Sequence, residues 1–79
     1  MTQPLVDRLV TRAMALATNT LDDDAAMTEL RGLGEGDNQA LEQAIRVCLA
    51  QPASLATRRR AIELLARVRY EDEDLPPRA

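Results

Sequence analysis

The chain has 79 residues, 46% of them apolar, with a net charge of −3, one cysteine and no histidine. That length allows one domain, and without histidine both the usual proton shuttle near neutral pH and the commonest metal ligand are missing. One cysteine permits no internal disulfide, and no apolar run approaches the roughly eighteen residues a membrane span requires.

Tyr70 is the only aromatic residue. Aromatic side chains bury about 150–250 Å² each, so a core without them must be built from Leu, Val, Ile, Met and Ala. At this length only roughly 60% of the extended surface is buried on folding. The expectation is that the helices either approach closely across small residues or leave apolar surface for a partner or a second copy.

The first predicted helix covers residues 3–18. Thr2 caps it, and Pro4 falls in the first turn, where a missing N–H costs nothing. At about 100° per residue, Leu5, Val6, Leu9, Val10, Ala13, Leu16 and Ala17 share one side, opposite Asp7, Arg8, Thr11 and Thr18. Asp7, Arg8 and Arg12 break up any continuous signal-peptide core, so the expected location is cytoplasmic.

A second helix over 22–31 opens with Thr20 and Asp23 as an acidic variant of the capping box. Asp22, Asp23 and Asp24 suit the positive end of a helix dipole. Ala26, Met27 and Leu30 face inward, Gly32 stands where a left-handed C-cap belongs, and Leu33 anchors the glycine-rich joint 32–36. A calcium loop starting at Asp22 fails, since Met27 and Leu33 occupy the positions that need Gly and Glu. The glycine stretch also lacks the lysine and the preceding strand of a phosphate loop.

Asp37 or Asn38 opens a third helix that runs to residue 50. Ala40, Leu41, Ala44, Ile45, Cys48 and Leu49 form its apolar face, with Val47 at the edge. Glu42 and Arg46 make an i, i+4 pair on the wet side. Cys48 has no histidine to activate it and reads as an inert core thiol. Pro52 stops the helix.

Ser54 caps the fourth helix, which extends to residue 70. Arg59, Glu63 and Arg67 are spaced as an ion-pair ladder. Ala61, Ile62, Leu64, Leu65, Ala66 and Val68 cover more than half the circumference, so this helix is either central or exposes a second seam. Arg58, Arg59, Arg60, Arg67 and Arg69 stand against the single Glu63, a local excess of +4.

Three readings of those arginines compete. They are a solvated face whose long stems cover the core, a basic surface for an acidic protein partner, or the recognition helix of a helix-turn-helix DNA-binding regulator using residues 38–69. Three consecutive helical residues sweep about 200°, so Arg58, Arg59 and Arg60 cannot share one groove. No Asn or Gln accompanies them to read bases.

The expected fold class is all-α, a small four-helix bundle of two antiparallel helical hairpins over residues 1–70, with a disordered acidic tail at 71–79. The expected function is a non-enzymatic interaction or adaptor module. Its partner is another protein or a second copy, and no cofactor, metal, membrane or small-molecule substrate is indicated. The expected partner-binding face is Arg59, Arg60, Ala61, Leu64, Arg67 and Val68, an apolar centre bordered by arginines. The acidic tail is expected to compete with an acidic partner for Arg59, Arg60 and Arg67.

Overall fold

A computed structural model describes residues 4–19, 22–34 and 37–71. It contains four helices: α1 (Pro4–Ala17), α2 (Asp23–Gly34), α3 (Asn38–Leu49) and α4 (Leu55–Glu71). The architecture is an all-α bundle, with no strand among the described residues. The α3–α4 pair shows its antiparallel sense directly. Arg58, early in α4, reaches Leu49 at the end of α3, while Arg69, late in α4, reaches Glu42 near its start.

Helix starts follow side-chain chemistry. The Asp37 carboxylate accepts from the Ala40 N–H at 3.0 Å, and the Ser54 hydroxyl accepts from the Thr57 N–H at 3.1 Å. Each satisfies a donor that the first helical turn would otherwise leave bare. In α2 the capping group is Asp22, whose Oδ1 accepts from Asp24 N–H at 2.7 Å and Ala25 N–H at 3.2 Å. Thr2 and Thr20, expected as caps, lie outside the described residues, as do tail residues 72–79.

One boundary differs in kind. Gly32 does not end α2; the helix continues through Leu33 to Gly34. Leu33 and Gly34 still face the core, so packing carries the helix past a residue of poor propensity. A Cβ on Gly34 would sit 3.6 Å from Leu41 Cδ2 and 3.8 Å from Leu9 Cδ2, so backbone and leucines are already close there.

The core joins Val6, Leu9, Val10, Ala13 and Leu16 of α1 to Ala26, Met27 and Leu30 of α2. Ala40, Leu41, Ala44 and Cys48 of α3 and Ala61, Leu64, Leu65 and Val68 of α4 complete it. No polar or charged side chain is buried among the described residues. Ala13, Ala26, Ala40, Ala44 and Ala61 keep the helices close, which compensates for the missing rings.

Helices α1 and α4 each pack against all three others, whereas α2 and α3 meet only in a small patch. The broad apolar arc of α4 thus belongs to a central helix. No described helix is long and apolar enough to cross a membrane.

Candidate functional site

Of the six residues expected to bind a partner, Ala61, Leu64 and Val68 are core. They are 0%, 2% and 1% exposed, so the expectation of a surplus apolar seam on α4 is corrected. Three helices surround α4 where the periodicity alone could assign one, and they close over its wide stripe. Arg60 and Arg67 border that stripe, but both turn inward to one carboxylate. Arg60 Nη2 lies 2.9 Å from Asp23 Oδ1, and Arg67 Nη1 lies 3.3 Å from Asp23 Oδ2.

The opposite edge of the stripe carries Arg58 and Arg69. Arg58 Nη1 donates to the Leu49 carbonyl at 3.0 Å. Arg69 Nη2 lies 3.4 Å from Glu42 Oε1, and its guanidinium carbon stands 4.9 Å from the centre of the Tyr70 ring. Four arginines are therefore two rails, one tied to α2 and the other to α3. Stems lie over the core while heads find acceptors at its rim.

The expected local pairs give way to these longer ones. Arg67 reaches Asp23 of α2, and Glu42 engages Arg69 of α4. Of the six expected residues only Arg59 is exposed, and Arg60 and Arg67 are intermediate.

Exposed apolar surface appears elsewhere. Leu49 is 59% and Leu55 62% exposed, at the two ends of the α3–α4 connection. Ala50, Pro52 and Ala56 between and beside them are exposed as well. Leu49 was expected on the apolar face of α3; it stands about 140° around the helix from Ala44, past the edge of that face. Leu55 is about 180° from Leu64, directly opposite the core, and its spacing along α4 already gives that angle.

This elbow is held by hydrogen bonds. Ala50 N–H donates to Val47 O at 3.0 Å, Gln51 N–H to Cys48 O at 3.2 Å and Ala53 N–H to Gln51 O at 2.9 Å. The Ser54 cap and the Arg58–Leu49 bond close the remaining sides. Arg46, one turn before Leu49, and Arg59, one turn after Leu55, are exposed and form no ion pair among the described residues. No Asp or Glu occurs between Glu42 and Glu63.

Concavities among the described residues lie away from the exposed leucines. One, of about 370 Å³, runs between α1 and α2 along Asp7, Arg8, Thr11, Arg12 and Leu33. A smaller one, of about 140 Å³, lies among Glu42, Ile45, Arg46 and Tyr70. Cys48 is buried beneath α3, and burial pushes its thiol up to about 11. No group of three or more Cys, Asp or Glu side chains among the described residues is placed to hold a metal ion. Comparison with family models, curated proteins and solved structures finds no match for the chain.

Proposed function

We propose that this protein is a non-enzymatic helical interaction module, cytoplasmic, whose docking surface is the α3–α4 elbow. The observation that carries the reading is the pair of exposed leucines, Leu49 and Leu55, on a hydrogen-bonded turn flanked by Arg46 and Arg59. A rigid apolar anchor with a charged rim gains affinity because little ordering is left to do on binding. The occupant is a protein segment that offers an apolar side chain to the leucines and carboxylates to the two arginines.

A second reading rests on the same stretch. Residues 43–62 carry Arg46, Arg58, Arg59 and Arg60 without an acid, as a helix-turn-helix facing DNA would. Arg60 is already tied to Asp23 and Arg58 to the Leu49 carbonyl, which leaves too few outward cations to follow a phosphate backbone.

Amide chemical-shift mapping separates the two. Titrating an acidic amphipathic peptide should move signals of residues 49–59, and the double variant Leu49→Ser/Leu55→Ser should abolish the response at unchanged helix content. Shifts caused by a short DNA duplex instead, weakening steeply with salt, would put the second reading in its place. A mass that rises with protein concentration and falls back in the double variant would make a second copy the occupant. An elbow silent to all three defeats the proposal.

A further inference from the structure

The stripe that the sequence reserves for a partner already has an occupant, the chain's own α2. Leu64 lies four residues after Arg60 and three before Arg67, so the three share one face of α4. Asp23 is bound to both arginines, which sets the start of α2 across Leu64. Ala26, Met27 and Leu30 follow Asp23 by three, four and seven residues, and all are buried. An acid ahead of apolar residues at i+3, i+4 and i+7 is how an amphipathic helix seats in a groove.

Helix α2 is also the least embedded of the four. It scarcely meets α3 and rests on α1 and α4. Its polar ties include Asp23 to Arg60 and Arg67, and Glu29 to Arg12. The side chains in those ties stay 37–50% exposed, where ion pairs are weak and salt screens them. Elements held by few apolar side chains and exposed polar ties are the ones that open short of global unfolding.

We propose that α2 is a displaceable occupant of a helix-binding cleft between α1 and α4. The intended alternative occupant is an amphipathic helix of a partner protein with a carboxylate in the place of Asp23. Displacement would uncover Leu64 and hand Arg60 and Arg67 to the incoming carboxylate. This cleft is separate from the elbow, and neither proposal depends on the other.

Hydrogen exchange on the intact protein tests the first half. Amides of α2 should exchange roughly tenfold or more faster than the core amides of α1, α3 and α4. The double variant Arg60→Ala/Arg67→Ala should speed α2 by a further factor of about three while leaving α3 unchanged. Because both substitutions lie on α4, faster exchange in α2 reports the contact and not α2's own helix propensity.

A synthetic peptide of residues 22–34 tests the second half. It should shift the amide signals of Ala61, Leu64 and Val68 in the full chain, and its Asp23→Arg version should not. Exchange of α2 in step with the other helices would overturn the proposal. So would a charge-reversed peptide that binds equally well, or a parent peptide that leaves those signals in place. The exchange pattern of α2 and the peptide-induced shifts should both persist in Leu49→Ser/Leu55→Ser, which abolishes elbow binding, so failure of the elbow and failure of the cleft are told apart.

Discussion

Arg58 of α4 donates through Nη1 to the main-chain carbonyl of Leu49 at 3.0 Å, tying the last turn of α3 to the first turns of α4. Carbonyls at a helix C-terminus have no partner within the helix, and a guanidinium there answers both the missing hydrogen bond and the negative end of the dipole. Replacing Arg58 with Ala should lower stability by about 1 kcal/mol in urea unfolding. Arg58→Lys should restore only part of it, since a point charge lacks the planar fork.

Leu64 provides a sharper test of where the α4 stripe lies. At 2% exposure it is a core residue, so Leu64→Glu places a carboxylate among packed apolar side chains. The variant is expected to lose cooperative unfolding altogether, read by circular dichroism during heating. Leu64→Ala should fold with a loss of about 2–5 kcal/mol. A stable Leu64→Glu protein would restore the exposed seam.

Gly32 distinguishes a helical residue from a helix end. It lies inside α2, and a Cβ added there meets nothing within 4 Å. Gly32→Ala is therefore expected to stabilise the protein by about 0.5–1 kcal/mol, through the entropy glycine loses on entering a helix. A left-handed cap at this position would give the opposite sign, so one denaturation curve decides the matter.

Burial pushes the Cys48 thiol from its ordinary 9.0 up to about 11. Between those values the folded protein holds a proton that the unfolded chain has released. The stabilisation is complete below pH 9.0 and is lost as pH rises toward 11. The slope is at most about 1.4 kcal/mol per pH unit. Unfolding followed across this window should show the decline, and Cys48→Ala should lack that part of it. Iodoacetamide should label Cys48 only as fast as the protein opens.

The helices were legible because period and punctuation agreed. In α1 the expected face is the buried face, and the Asp37 and Ser54 caps sit where their side chains predict. Packing was less legible. A wide apolar arc on α4 is compatible with one neighbour and a bare seam or with three neighbours and none, and only the tertiary arrangement chooses. The partners of the arginines were hidden for a related reason. Local spacing suggests Arg59–Glu63–Arg67, yet a solvated i, i+4 pair contributes only about 0.2–0.5 kcal/mol. The acceptor that holds Arg67 is 44 residues away in sequence, beyond the reach of any periodicity argument. The elbow leucines are the converse case. Their angles, about 140° from Ala44 around α3 and about 180° from Leu64 around α4, already set them off the core.

Tyr70 is 51% exposed near the end of α4, with the Arg69 guanidinium beside its ring. It is the molecule's single aromatic chromophore, and it stands outside the packed interior. Emission or near-ultraviolet dichroism will therefore watch one frayable helix end while the aliphatic centre melts unseen. Methyl resonances of the leucines and valines, rather than the tyrosine signal, are the gauge that follows side-chain packing in this protein's interior.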